Sequence, residues 1–294
     1  MQVVENSCNP GFVYIGQKIG KETLFKYIKN FGFGSKTGID LNGESKGILF
    51  KEENVGPVEL ATTSFGQGVS VTPIQQVVAV SAAINGGYIY QPYIVKSINE
   101  PETNSVILEN KPKVLRKVIS EETSEKVRYA LESVATNGSG RNAFIEGYRV
   151  GGKTGTAQKA VNGSYLVGNY ITSFIGFLPA NDPKVVVYVA IDNAKGVTQY
   201  GGTVAAPIAR NLMVSIIDIL NIEKPSGGSS KKYNWYDKKY ATVNDVTGLS
   251  LSDALNSLKQ FKVEYKGNGD TVIHQSPKGG ESIYEGETVM LYLN

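Results

Sequence analysis

A stretch rich in Ser, Gly, Lys and Pro, residues 223–237, interrupts the sequence and constrains the fold most strongly. Such segments act as linkers, because they hold too few apolar side chains to join a packed core. We therefore predict a large domain at residues 1–221, the linker at 222–237 and a small module at 238–294. With 294 residues and a 41% hydrophobic share, the chain can bury a core in each domain.

Charge and the scarcity of Cys and His exclude several classes of function. The net charge is only +3 and no basic cluster accompanies it, so we predict no nucleic-acid partner. One Cys and one His preclude an internal disulfide and a Cys/His zinc cluster, and we expect neither a metal nor a cofactor. We expect Cys8 to be a half-buried small side chain and His274 a strand residue without a catalytic role.

The sequence offers no targeting signal that we can identify. The first twelve residues lack the basic and apolar regions of a signal peptide. The most apolar stretches, Val77 to Ile84 and Val185 to Ile191, are too short to span a bilayer. We expect a chain that is soluble as written.

The hydrophobic pattern of the large domain predicts an α+β fold, an antiparallel sheet packed with helices. Thr72 and Ser120 are expected to cap two of the helices, and residues 35–70, which are Gly-rich, to be irregular. The small module should hold one helix, beginning after Ser250, and three strands. The predicted helices of the large domain are 10–31, 73–85, 121–137 and 203–220. Its predicted strands are two or three within 93–118, then 148–158, 170–178 and 185–192. The predicted strands of the module are 261–265, 271–275 and 287–293.

Residues Gly147 to Thr154 match G-x-x-x-x-G-K-[ST], the loop that cradles phosphates in nucleotide-binding proteins. Such a loop needs a helix that starts at the lysine, so that backbone N–H groups face the phosphate. Here the lysine is followed by Gly155-Thr156-Ala157-Gln158, a pattern that predicts a strand. Nucleotide binding is therefore kept only as a remote alternative.

The same lysine can be placed on an edge strand, as Lys153-Thr154-Gly155-Thr156. We expect a cation and two hydroxyls to point one way from alternate positions, which suits the carboxylate at the end of a peptide. Gly155, without a side chain, would let a ligand backbone lie close. K-T-G alone is weak support for a carboxylate-binding site, because an ordinary turn explains the motif and a second copy begins at Lys36.

Ser7-Cys8-Asn9 could place a hydroxyl and an amide on one side of a loop. A simpler explanation is that Asn9 caps a helix whose first residue is Pro10. Another S-x-N, beginning at Ser97, lies in a strand-like segment. S-x-N and K-T-G motifs gain weight in combination, since with S-x-x-K they form the signature of β-lactamases and penicillin-binding proteins.

Five segments together resemble the transpeptidase domain of a class B penicillin-binding protein, over about residues 2–221. They are ENSCNPGF, FGFGSKTGIDLNGE, FGQGVSVTPIQQVVAVSAAINGG, EGYRVGGKTGTAQK and SFIGFLPANDPKVVVYVAID. The last 57 or so residues, with VNDVTGLSLSDAL and QSPKGGESIYEGETVMLYL, are similar to a PASTA module. Asn244 and Gly279 stand where that module usually has Pro. One such module after a linker resembles the sporulation-specific branch of the family.

The resemblance implies a serine-type D,D-transpeptidase that cross-links the stem peptides of peptidoglycan in the cell wall or the spore cortex. The donor ends in D-Ala-D-Ala, and β-lactams mimic it. The resemblance also implies other cell-wall synthesis proteins as partners. It implies a location on the extracytoplasmic face of the bacterial cell membrane and, for the sporulation-specific branch, association with the forespore. No membrane anchor is recognisable in this sequence.

Residue roles follow from the same resemblance. Ser7 would relay a proton toward the leaving group, and Asn9 would hold the substrate amide. Lys153 would attract the substrate carboxylate and support Ser7. Thr154 and Thr156 would hydrogen-bond that carboxylate, and the backbone N–H of Thr156 would be one of two oxyanion donors.

The family's nucleophile, in S-x-x-K ahead of S-x-N, has no counterpart here, because only six residues precede Ser7. The one S-x-x-K in the sequence, Ser229 to Lys232, lies in the linker and is a chance match. We therefore expect this chain to be inactive by itself. A non-catalytic peptidoglycan-binding or scaffold protein remains an alternative.

Overall fold

The structure is a computed structural model, and it describes residues 1–161, 163–225 and 239–294. The chain divides into two compact units, residues 1–231 and 232–294. Most of the predicted linker, including the chance S-x-x-K at Ser229, lies outside the described residues, so its boundaries stay predictions.

The first unit alternates helices with short and long strands. Its helices are α1 (Gln2–Glu5), α2 (Asn9–Ile19), α3 (Lys21–Asn30), α4 (Pro57–Ser64), α5 (Pro73–Ile84), α6 (Glu121–Asn137) and α7 (Gly201–Leu220), with 3-10 turns at Glu52–Asn54 and Arg141–Ala143. Its strands are β1 (Tyr88–Tyr90), β2 (Ser97–Asn99), β3 (Val106–Glu109), β4 (Val114–Lys117), β5 (Gly151–Val161), β6 (Ser164–Leu178) and β7 (Val185–Asp192).

The central sheet of the unit has the order β5-β6-β7, and both pairings are antiparallel. On one face, Phe174 and Leu178 of β6 are buried with Ala205, Ala209 and Met213 of α7. On the opposite face, Phe177 is buried with Ile84 of α5. Burying apolar side chains on both faces is what fixes helices to the sheet. The predicted α+β class, an antiparallel sheet packed with helices, is confirmed.

Helix α7 is the one helix in the described part of the chain that is long and apolar enough to cross a membrane. Its inward face is instead part of the protein core. Its Arg210 is buried too, and Arg210 Nε donates to the carbonyl oxygen of Phe144 over 3.1 Å. These contacts make α7 a core helix of the unit.

The cap predictions for α5 and α6 are confirmed. Thr72 Oγ1 accepts from the N–H of Gln75, and Gln75 Oε1 accepts in turn from the N–H of Thr72. Ser120 Oγ accepts from the N–H of Thr123 at the start of α6. Such caps satisfy backbone N–H groups that have no partner inside the helix.

Several expectations for the first seventy residues are wrong. The predicted single helix at 10–31 is two helices, because Gly20 has φ +83° and breaks the hydrogen-bond pattern there. Residues 35–70 are not wholly irregular, since they contain α4. Cys8, expected to be half-buried, is exposed. It also occupies the N-cap position of α2 that we predicted for Asn9, which is instead the first helical residue.

The second unit is a small α+β module of its own. Its elements are β8 (Tyr240–Thr242), α8 (Leu251–Ser257), β9 (Lys262–Lys266), β10 (Val272–Ser276), β11 (Ser282–Tyr284) and β12 (Thr288–Leu293). The three predicted strands form a sheet of order β10-β12-β9, and β8 pairs with β11 in a ladder that the sequence did not indicate. Ser250 caps α8 as predicted. His274 lies exposed on β10, beside Tyr292.

Candidate active site

The side chains of Lys153 and Ser7 meet in the first unit. Lys153 is the third residue of β5, and Ser7 lies in the short connection between α1 and α2. Lys153 Nζ donates to Ser7 Oγ over 2.7 Å and to the carbonyl oxygen of Thr154 over 3.0 Å. The structure therefore joins the S-x-N and K-T-G motifs, which lie far apart in the sequence.

Ser7 reaches this position through a tight backbone turn. Its φ is +51°, a left-handed conformation that is uncommon for residues other than glycine. The turn is held by a hydrogen bond from the N–H of Cys8 to the carbonyl oxygen of Val3, over 3.0 Å. Backbone strain of this kind clusters at functional sites, where surrounding contacts hold it in place.

Burial alters the ionisation of Lys153. It lowers the pKa of the ammonium from 10.5 to about 8, because a charged group loses hydration inside the protein. At neutral pH the site still carries a positive charge. That charge lies in a partly dry environment, where it attracts an anion more strongly than a surface lysine would.

The hydroxyls of the strand have fixed partners. Thr154 Oγ1 and Ser139 Oγ lie 2.9 Å apart, and the backbone N–H of Gly201 donates to Thr156 Oγ1 over 3.1 Å. Because Gly201 N–H occupies an acceptor position of Thr156, the proton of the Thr156 hydroxyl remains able to donate elsewhere. Thr156 is exposed, so a ligand can reach it.

Side-chain alternation corrects one expectation about this strand. Thr154 and Thr156, two residues apart, share a face, and a Cβ on Gly202 of α7 would lie 3.6 Å from Thr154 Cγ2. Lys153 leaves the opposite face, and its ammonium returns to the Thr154 carbonyl oxygen. The expectation that strand alternation points the cation and both hydroxyls one way was therefore wrong, because residues 153 and 154 are neighbours and not alternate positions. The ammonium reaches the position of Thr154 because the long Lys153 side chain bends back to the carbonyl oxygen of that residue.

Gly155 allows close packing within the protein itself. A Cβ on Gly155 would lie 2.4 Å from Ser173 Oγ on β6. A Cβ on Gly201 would lie 2.4 Å from the Gly155 carbonyl oxygen and 2.3 Å from that of Ser173. Glycine at position 201 thus lets the N-terminus of α7 lie directly against the strand, a contact that the sequence analysis did not predict, while Gly155 leaves room for the Ser173 hydroxyl.

Asn9 is the least engaged of the predicted site residues. It is exposed as the first residue of α2, two positions after Ser7. Within the described residues, no hydrogen bond joins its side chain to Ser7 or Lys153. Its expected contact is with a substrate amide, so its role stays a prediction.

The competing motifs lie elsewhere. In the second K-T-G, Glu44 Oε1 accepts from the N–H of Thr37 over 2.5 Å, and Glu44 Oε2 accepts from the N–H of Gly38 over 3.1 Å. Partial burial opposes ionisation of Glu44, but these hydrogen bonds outweigh it and lower the pKa of the carboxyl. That K-T-G is thus occupied by the chain's own carboxylate. The S-x-N at Ser97 lies on the exposed strand β2.

The phosphate-loop alternative is excluded by the backbone at Lys153. Lys153 and Thr154 lie inside β5, an eleven-residue strand that pairs with β6 in regular register around them. A phosphate loop needs the N-terminus of a helix at this point, and none begins there. Nucleotide binding through Gly147 to Thr154 therefore has no structural support.

Two contributors to the site escaped the sequence analysis. Ser139 lies just after α6, and Gly201 begins α7. Ser139 stands between two glycines, Gly138 and Gly140, and Gly201 is followed by Gly202. Such small-residue runs at helix ends can signal a close backbone approach, which is what the structure has at both places.

Comparison with known proteins agrees with this geometry. Residues 1–214 match the family model described as penicillin-binding protein transpeptidase domain. The chain belongs to the penicillin-binding protein transpeptidase family. Residues 241–294 match the model of the PASTA domain, so both parts of the predicted family assignment are confirmed.

Curated relatives give the same result. Stage V sporulation protein D of Bacillus subtilis is 57% identical over 293 residues, which are 100% of this chain and 45% of that protein. A peptidoglycan D,D-transpeptidase FtsI homolog of Mesostigma viride is 37% identical, over 75% of this chain and 40% of that protein. The chain thus spans less than half the length of these two relatives.

Solved structures share the fold. The transpeptidase domain of penicillin-binding protein 3 from Burkholderia pseudomallei, without ligand, matches with a TM-score of 0.67 and 30% identity, over 76% of this chain and 65% of that one. Penicillin-binding protein 3 from Mycobacterium tuberculosis in complex with ampicillin matches with a TM-score of 0.70 and 29% identity, over 78% and 52%.

Proposed function

We propose that this chain supplies the S-x-N and K-T-G part of a peptidoglycan D,D-transpeptidase. The observation that carries the proposal is the hydrogen bond from Lys153 Nζ to Ser7 Oγ, made from the strand β5 that also carries the Thr154 and Thr156 hydroxyls. A partly buried cation and two hydroxyls carried by one strand can bind the terminal carboxylate of a peptide. A hydroxyl bonded to an ammonium can pass a proton onward.

The proposed reaction uses a serine of an S-x-x-K segment as nucleophile. Its Oγ forms a bond to the carbonyl carbon of the penultimate D-Ala of a stem peptide, and the bond from that carbon to the nitrogen of the last D-Ala breaks. Ser7 relays a proton to the leaving nitrogen. An amine of a neighbouring stem peptide then attacks the acyl-enzyme and releases the serine.

Each predicted residue has a place in this scheme. Lys153 holds the substrate carboxylate and keeps Ser7 oriented, while Thr154 and Thr156 donate hydrogen bonds to the same carboxylate. Gly155, which has no side chain, lets the substrate backbone lie close against the strand, and Asn9 holds the substrate amide. The backbone N–H of Thr156 is one of two donors to the oxyanion that forms during attack.

We place this reaction on the extracytoplasmic face of a bacterial membrane, among other proteins of cell-wall synthesis. Support for a sporulation role is the 57% identity to a protein named stage V sporulation protein D. β-Lactams are proposed as inhibitors, which is supported by the ampicillin complex of a structural relative.

Penicillin labelling tests the proposal. We define the extended protein as this chain joined behind a transpeptidase segment that carries the family's S-x-x-K. Incubated with a fluorescent penicillin and run on a denaturing gel, the extended protein should carry a covalent label on the serine of S-x-x-K, located by mass spectrometry. The chain alone should carry none, because the one S-x-x-K in its sequence, Ser229 to Lys232, is the chance match in the linker.

The same experiment separates the two remaining alternatives. A scaffold that only binds peptidoglycan would leave a correctly folded extended protein unlabelled. Stoichiometric label on Ser7 of the chain alone would instead contradict the proton-relay role given to that residue.

A further inference from the structure

We propose that Ser139 is a positioning residue, which orients the Thr154 hydroxyl toward the substrate carboxylate. The inference rests on the proposed function, in which Thr154 donates a hydrogen bond to the substrate carboxylate and Ser139 aligns the Thr154 hydroxyl. It starts from the 2.9 Å separation of Ser139 Oγ and Thr154 Oγ1. Ser139 lies outside both motifs, on the loop that follows α6.

The direction of this hydrogen bond follows from the ligand. A hydroxyl has one proton to donate and two lone pairs to accept with, while a carboxylate only accepts. When Thr154 donates to a carboxylate, its remaining hydrogen bond to Ser139 must be one that it accepts. Ser139 Oγ–H then donates to Thr154 Oγ1 and holds the Thr154 proton in the direction of the ligand.

Ser139 is itself held on both sides. Its backbone N–H donates to the carbonyl oxygen of Glu5 over 2.8 Å, at the start of the turn that carries Ser7. Its carbonyl oxygen lies close to Gly202, where a Cβ would be only 2.4 Å away. The Ser139 side chain therefore extends from a backbone whose neighbours on two sides fix it.

The approach of the loop to Glu5 also depends on glycine. A Cβ on Gly138 would lie 2.3 Å from the Glu5 carbonyl oxygen, which is closer than real atoms come. The Glu5 carboxylate accepts a further hydrogen bond from Ser133 Oγ on α6. Through these contacts the loop links the S-x-N turn to the K-T-G strand, with Ser139 at the point of contact with Thr154.

The test measures second-order acylation rates of the extended protein with two ligands. One is a penicillin with its free carboxylate, and the other is the same penicillin with that group replaced by hydrogen. Ser139→Ala should slow acylation by the carboxylate ligand about tenfold, the usual range for one oriented hydrogen bond. The rate with the decarboxylated ligand should change less than about twofold, because that ligand has no acceptor at this position for Thr154 to donate to.

Three variants separate positioning from general damage to the fold. Ser139→Thr keeps a hydroxyl and should restore the rate. Thr136→Ala removes an α6 hydroxyl that donates to the Glu132 carbonyl oxygen, away from the site, and should leave the rate unchanged. In a Thr154→Val background, Ser139→Ala should lower the rate no further, because its effect passes through the missing hydroxyl.

Distinct outcomes overturn distinct claims. An equal fall with both ligands, or an additive fall in the Thr154→Val background, would make Ser139 merely structural. An unchanged rate for Ser139→Ala, together with a large fall for Lys153→Ala, would overturn the positioning role and leave the proposed function standing. An unlabelled extended protein would overturn both.

Discussion

Lys153 Nζ donates a 2.7 Å hydrogen bond to Ser7 Oγ across 146 positions of sequence. The bond joins a regular strand to a strained turn, so each side holds the other in place. Since burial lowers the pKa of Lys153 to about 8, the charge of this contact changes in mildly alkaline solution. Both the stability and the chemistry of the site should therefore depend on pH.

The ionisation of Lys153 can be measured in the chain itself. With ¹³Cε-labelled lysine, one NMR signal should titrate near pH 8, and it should be absent from Lys153→Arg. In the unfolded chain the same group keeps its proton up to about pH 10.5. Between these two values the unfolded state binds more protons than the folded state, so the free energy of unfolding should rise with pH.

The comparison variant for stability is Lys153→Met, which has no titratable group at this position. Its free energy of unfolding should lack the component that rises between about pH 8 and 10.5. A Lys153 signal that titrates near 10.5 would show that the ammonium is hydrated, and would contradict the burial described here.

Removal of the cation should affect acylation strongly. In the extended protein, Lys153→Ala should slow β-lactam acylation by about 10²–10³-fold, because an ion in a partly dry cleft contributes roughly 2–4 kcal/mol to the transition state. The rate is measured by time-dependent fluorescent penicillin labelling. Lys159→Ala is the matched control, since Lys159 lies on the same strand and its ammonium pairs with Asp192 at 2.7 Å. Equal effects of the two variants would contradict the assignment.

The sequence allowed the core of the fold to be predicted, because that core depends on local patterns. Strand β7 and the caps at Thr72, Ser120 and Ser250 lie where the pattern placed them. A side-chain oxygen three residues before a backbone N–H is a local signal, as is a run of β-branched residues. The same signals put K-T-G on a strand and argued correctly against a phosphate loop.

What escaped prediction depends on contacts between distant segments. The break at Gly20 interrupts an apolar pattern that continues across it, so the spacing alone predicts one helix. The partnership of Ser139 with Thr154 joins a loop to a strand, and the approach of Gly201 to Gly155 joins a helix to the same strand. Nothing in the spacing of those residues specifies the pairs.

The start of α7 provides a test of close packing at the site. Gly201→Ala would place a Cβ 2.3 Å from the Ser173 carbonyl oxygen and 2.4 Å from that of Gly155. Since both atoms belong to the backbone, the helix must shift, and its N–H should leave Thr156 Oγ1. We expect a loss of about 1–3 kcal/mol in the free energy of unfolding, measured with urea. Acylation of the extended protein should slow as well.

Thr203→Ala serves as the control for that variant. Thr203 is exposed in the same first turn of α7, and its hydroxyl contacts only nearby carbonyl oxygens of residues 198 and 200. Its stability and acylation rate should stay close to those of the parent protein. An unaltered Gly201→Ala protein would mean that the strand and the helix are less tightly packed than the structure has them.

The small unit should fold without the rest of the chain. It holds a separate core, within which Leu258 at the end of α8 has 0% exposure. Residues 238–294 expressed alone should give dispersed amide NMR signals, whereas a random-coil spectrum would refute independent folding. Leu258→Ala should cost about 2–5 kcal/mol, which approaches the whole stability of so small a domain, so this variant should unfold. Leu255→Ala, on the same helix but 40% exposed, should remain folded, and equal losses for both variants would contradict the core assigned here.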